Sequence, residues 1–92
     1  MSLNEYNDER ATRLLALITA FDGSLSQLDG VQAELQGAVG LFENDGSGVS
    51  ELVRLAEADV EEIRFTRLLD EQGAAVAMRT AQLVAELEGL MG

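Results

Sequence analysis

Residues 14–42 read LLALITAFDGSLSQLDGVQAELQGAVGLF, and the spacing of their large side chains decides the fold. Leu14, Ile18, Phe21, Leu25, Leu28, Gln32, Leu35, Val39 and Phe42 follow one another in alternating steps of four and three. That is a heptad seam sustained over about four heptads. Leu14, Phe21, Leu28, Leu35 and Phe42 take the d positions; Ile18, Leu25, Gln32 and Val39 take a, with Gln32 as the one polar interruption. The phase passes intact through Asp22-Gly23-Ser24 and Asp29-Gly30, which composition alone would make turns. A turn normally resets the phase, so the spacing predicts one helix over about residues 5–42, on the order of 55 Å long. The alternative is two shorter helices broken near Gly23.

The glycines carry a second period. Gly23, Gly30 and Gly37 are seven apart, and the stripe they share is small throughout: Thr12, Ala16, Thr19, Gly23, Ser26, Gly30, Ala33, Gly37 and Gly40. A helical glycine costs roughly 1 kcal/mol against alanine. The stripe therefore reads as a second packing seam, where another backbone approaches closely. The alternative is a marginal helix that tolerates its glycines.

Glu43-Asn44-Asp45-Gly46-Ser47-Gly48 is the clear interruption, rich in turn residues, with Ser47 or Ser50 available to cap the next helix. That second helix is expected from about residue 49 to 91. Val49, Val53, Ala56, Val60 and Ile63 keep one heptad phase; Leu69, Val76, Leu83 and Leu90, with Thr80 and Leu87, keep another. The slip between them predicts a bend or a break within 64–73, either a stutter or a stop at Gln72 with Gly73 beyond it. Gly73, Ala77, Ala81, Ala85 and Gly89 form another small stripe, suited to the glycine stripe of the first helix.

The predicted fold is therefore all-α: one domain, an antiparallel hairpin of two long helices joined at 43–48. A lone hairpin would leave the Leu/Ile/Phe seam partly in water. Two hairpins pairing into a four-helix bundle would cover it, as a homodimer or with a similar chain. The residues expected to carry binding are Leu14, Ile18, Phe21, Leu25, Leu28, Leu35, Val39 and Phe42 for association, and Gly23, Gly30, Gly37 and Gly40 for close packing.

Composition narrows the chemistry. The chain has 92 residues, a net charge of −11, and no Pro, Cys, His or Trp; its six basic residues are all arginine. Absence of proline suits long helices. Without His or Cys there is no Ser-His or Cys-His catalysis and no Cys/His metal site. Without Lys there is no Schiff base and no P-loop lysine. Seventeen carboxylates against six arginines repel a phosphate backbone and an anionic membrane, so neither nucleic acid nor membrane insertion is expected. No basic-then-apolar leader is present at the N-terminus. The expected location is cytoplasmic, or exported without a cleavable signal peptide.

Two acidic patterns are candidates for metal chemistry. Glu43, Asp45, Ser47 and Gly48 match positions 1, 3, 5 and 6 of a calcium loop, but position 12 is Arg54, a cation where the bidentate glutamate belongs. Glu5-x-x-Asp8 and Asp59-x-x-Glu62 have the spacing of the carboxylate pairs of all-α magnesium-dependent nucleotide pyrophosphatases, without a second well-placed pair or an accompanying Lys or His. The run Glu57, Asp59, Glu61, Glu62 reads as a solvated face with Glu51–Arg54 and Glu61–Arg64 pairs. No catalytic constellation and no cofactor site is expected.

A short, Cys-free, acidic helical hairpin with a central glycine turn, Gly46-Ser47-Gly48 behind Phe42, resembles the WXG100 (ESAT-6-like) proteins of type VII secretion. The chain has no Trp for the W-x-G motif, and Tyr6 is its only tyrosine, so the tail signal is missing too. The resemblance implies paired hairpins and a role as a small secretion-system component. Chaperones of type III secretion look similar at this level. The expected function is a non-enzymatic interaction module: a chaperone, adaptor or secretion component. The alternatives are an immunity or antitoxin protein masking a basic partner, and a magnesium-dependent nucleotide hydrolase.

Overall fold

A computed structural model describes residues 3–91. Four α-helices make up the described chain: α1 (Glu5–Thr19), α2 (Leu28–Val39), α3 (Val49–Thr66) and α4 (Leu69–Met91), with a single 3₁₀ turn, Leu25–Gln27, leading into α2. The all-α expectation stands. The two long helices do not: each is broken, so one chain supplies four helices.

The first break corrects the helix expected over 5–42. α1 ends at Thr19, with Ala20 still in a helical conformation, and Gly23 then takes φ +86°, a left-handed backbone that residues with a Cβ resist. Local side chains hold the turn. Asp22 Oδ1 accepts from the Ser24 amide at 2.9 Å, and Gln27 Oε1 accepts from the Asp22 amide at 3.0 Å. These hydrogen bonds to Ser24 hold the Asp22 carboxyl below its ordinary pKa.

The second break lies at 67–68, inside the predicted interval but ahead of Gly73. Arg67 is extended (φ −91°, ψ 152°) and α4 begins at Leu69. The side chain of Gln72 reaches back from α4: its Nε2 donates to the carbonyls of Arg64 and Arg67, at 3.1 Å each. It thus satisfies carbonyls that the end of α3 leaves open. Gly73 is no helix terminus. It is buried inside α4, packed against the backbone of Gly23, so the first break seats on α4.

The packing forms a closed cycle, with α1 on α2 and α4, and α3 on α2 and α4. The core inside is aliphatic: Leu14 and Ile18 from α1, Leu28, Val31 and Leu35 from α2, Val49, Val53 and Val60 from α3, Val76, Leu83 and Leu87 from α4. The two heptad phases of the second half hold, except that Ile63 and Leu90 are half-buried and Leu69 is exposed. In the first half, α1 buries residues 7, 11, 14 and 18, on the seam. α2 buries Leu28, Val31, Leu35 and Ala38, so beyond the turn Val31 and Ala38 replace Gln32 and Val39 on the core side.

The connection to α3 runs over 40–48, opening three residues ahead of the predicted 43–48 because α2 ends at Val39, with Gly46 and Gly48 both at positive φ. Gly48 takes the cap position of α3 without a side-chain bond; Ser47 Oγ accepts from the Val49 amide at 3.2 Å. A latch ties this turn to the start of α1. Asn7 is fully buried, donating through Nδ2 to the Glu43 carbonyl and accepting through Oδ1 from the Glu43 amide, both at 2.8 Å.

Candidate interaction surface

The predicted association residues divide into three groups. Leu14, Ile18, Leu28 and Leu35 are core, at 3% exposure or less within a single chain. This overturns the expectation that the seam stays open in a monomer: the helices that cover it come from the same chain. A charge at Leu28 or Leu35 therefore unfolds the protein rather than dissociating it. Phe21, Val39 and Phe42 are half-buried against that core, and Leu25 is half exposed in the 3₁₀ turn.

The glycine stripe is also placed differently from its prediction. A Cβ built at Gly30, Gly37 or Gly40 meets no heavy atom within 4 Å, so no second backbone packs there within the chain. Ala81, Ala85 and Gly89 of the α4 stripe are exposed as well. The one close glycine contact is Gly23 with Gly73, where a Cβ on Gly73 would overlap the Gly23 carbonyl oxygen.

Gly30 and Gly37 instead line a groove between α1 and α2. It consists of two adjoining cavities of about 250 and 300 Å³, and Leu17 and Glu34 line both. Phe21, Val31 and Gly30 complete the first; Gly37, Leu41 and Phe42 are among the walls of the second, with Arg10 and Arg13 at its rim. Leu17 and Leu41 stand about half exposed along it. Over 14–21 and 30–42 together, Glu34 is the only charged residue, in a chain of net charge −11. Glu34 makes no ion pair or side-chain hydrogen bond among the described residues.

A second apolar surface lies at the α3–α4 corner. Phe65 is 91% exposed, Leu68 68% and Leu69 65%. These are the residues that widen the apolar face where the phase slips. Arg67 sits among them, exposed and outside every ion pair of the described residues.

The remaining polar groups are largely committed to structure. Arg64 bridges α3 to α2, donating to Gln32 Oε1 and Asp29 Oδ1 at 2.6 Å each. This accounts for the polar interruption of the seam and displaces the expected Glu61–Arg64 pair; Glu51–Arg54 forms as expected. Arg79, nearly buried, donates to Asp59 Oδ2 at 2.7 Å and has Glu86 at 3.7 Å, so the carboxylate pair at 59 and 62 is engaged through Asp59. Asp45, the third position of the calcium-like pattern, accepts from Ser47 N and Oγ and from Asn4 N. Those bonds hold its carboxyl well below the usual carboxylate range. Among the described residues no group of three or more Asp or Glu side chains is placed to hold a metal ion. No described helix is long and apolar enough to cross a membrane.

Sequence reasoning misses Asn7, Leu17 and the Phe65–Leu69 corner. Asn7 stands one heptad before Leu14, on the d stripe, and a seam traced that far back would include it. Leu17 lies off the stripe, and its exposure depends on the angle at which α2 returns.

No family model, no curated protein and no solved structure matches this chain.

Proposed function

We propose that this chain is a non-enzymatic protein–protein interaction module whose docking surface is the α1–α2 groove. The observation that carries the reading is the groove itself: it is apolar, runs along two helices, and holds one carboxylate in an otherwise acidic molecule. An apolar cleft between helices with few polar groups is the default binding-site candidate. Close approach is open to a partner backbone at Gly30 and Gly37, where nothing of this chain fills the space. The cellular setting we propose is that of a small adaptor, chaperone or secretion-system component, pairing with itself or with a related helical chain. This is the role implied by the resemblance to WXG100 proteins. The binding residues are Leu17, Phe21, Leu41 and Phe42 rather than Leu28 and Leu35, which are committed to the core.

A photo-activated cross-linker at Leu17, compared with one at Glu62 on exposed α3, tests this in the expressing cell. The expected result is a discrete protein adduct from position 17 and none from position 62. Equal or absent labelling at the two positions overturns the proposal.

A further inference from the structure

We infer that the groove's occupant is the α3–α4 corner of a second copy of this chain. The inference rests on reading the groove as a protein-docking surface, and it adds what docks there. Two apolar features of the surface suit one another: the α1–α2 cleft is concave, and Phe65, Leu68 and Leu69 form an exposed corner. An apolar cavity of about 150 Å³ holds a benzene ring. The open cleft of about 250 Å³ beside Phe21 and Val31 has room for the Phe65 ring, with the neighbouring cleft left for Leu68.

Charge fixes the polarity. Arg67, at the tip, is a cation without an ion-pair partner; Glu34, shared by both cavities, is a carboxylate without one. Docking brings them together. The corner continues into Asp70 and Glu71, both exposed, and the groove continues to Arg10 and Arg13. Arg10 is stacked 5.1 Å from the Tyr6 ring centre, and its buried Nε has no hydrogen-bond partner. A segment laid with Arg67 at Glu34 thus carries its acidic end toward the groove's basic end. Elsewhere two copies of charge −11 repel; along this groove they do not.

Each copy carries one tip and one groove, so the contact is head-to-tail. It closes either as a reciprocal pair, each tip in the other's groove, or as larger rings and chains.

Sedimentation velocity of the full chain, with two separated-function variants, tests the inference. Phe65→Asp removes the tip at a residue 91% exposed, so the fold is not at risk. Gly30→Leu fills the groove at a helical position with open space, so the fold gains stability. The wild type is expected to self-associate, to a dimer or beyond, as concentration rises. Each variant alone stays monomeric to at least ten times higher concentration. An equimolar mixture of the two forms a dimer and stops there, because one intact groove meets one intact tip. A second check exchanges the charges: Arg67→Glu and Glu34→Arg each weaken assembly, and the double variant recovers it. A wild type that stays monomeric at 500 µM, a variant that assembles like the wild type, or a mixture that stays monomeric overturns the inference. Persistent cross-linking of a different protein at Leu17, from a chain that is itself monomeric, overturns this inference and leaves the docking reading intact.

Discussion

Two connections in this molecule interrupt helices that the heptad pattern would have continued, and they do so by different means. The first, between α1 and α2, is held from within: Gly23 turns the backbone, Asp22 and Gln27 bond to amides inside the same segment, and Phe21 folds down onto the core. The second, between α3 and α4, is held from the next helix: Gln72 reaches back to two carbonyls, and Phe65, Leu68 and Leu69 are left pointing outward. A locally built turn can bury its apolar residues and keep the periodicity running through it. A turn held by a neighbouring helix leaves its apolar residues free for something else. Continuity of a heptad phase is therefore not continuity of a helix.

The contact of the first connection with α4 is the most sensitive. Gly73→Ala places a methyl into the Gly23 carbonyl, which cannot yield without moving the first break off α4, and about 3 kcal/mol of stability is expected to be lost in urea denaturation. A loss under 1 kcal/mol would mean that the contact relaxes freely.

Each connection can then be broken singly. Gly23→Ala forces a Cβ into left-handed backbone and should cost about 1–2 kcal/mol, with the effect confined to the first connection. Gln72→Ala leaves the Arg64 and Arg67 carbonyls without their shared donor and should cost about 1–2 kcal/mol through the second. Near-additive loss in the double variant would show two separate devices; strong coupling would make them one.

Gly30→Ala sharpens the contrast between glycines that are needed and glycines that are not. Nothing fills the space beside Gly30, so the substitution should stabilise the fold by about 1 kcal/mol, read as a higher urea midpoint.

The smallest effect is that of pH. Bonding to Ser24 depresses the pKa of Asp22, so the turn's contribution is full above the ordinary carboxylate range, near pH 4, and fades as pH falls through the depressed value. The Ser24 amide proton resonance should shift on acidification below about pH 4 as its acceptor is protonated. The Gln72 amide protons, bonded to neutral carbonyls, should not respond over the same range. Asp22→Asn should abolish the Ser24 response.

Much of this architecture is legible in the chain. All-α character, the turn at 43–48, the start of α3 near Val49 and the buried faces of α3 and α4 follow from spacing, because the aliphatic positions there serve only the core. The break at Gly23 is visible in composition and masked by phase, since 3₁₀ turn and loop together happen to return Leu28 to register. The candidate site is less legible. A seam of large residues looks the same whether its cover comes from the same chain or another, so spacing assigns Leu14, Ile18, Leu28 and Leu35 to a partner that α3 and α4 replace. The regularly spaced glycines point to the right helix face for a different reason: they leave a groove open rather than seat a neighbour in it.

The buried Asn7 has a kinetic consequence. Its two bonds to Glu43 join positions 36 residues apart and close the first half of the chain into a ring. Once that ring is shut, the entropy of bringing α1 alongside α2 has already been lost, and α3 and α4 dock on a half that is prepared. The Glu43 amide lies outside every helix, yet its proton is held by a fully buried side chain. In hydrogen-exchange experiments it should behave as a core amide, opening only when α1 parts from the connection that follows α2.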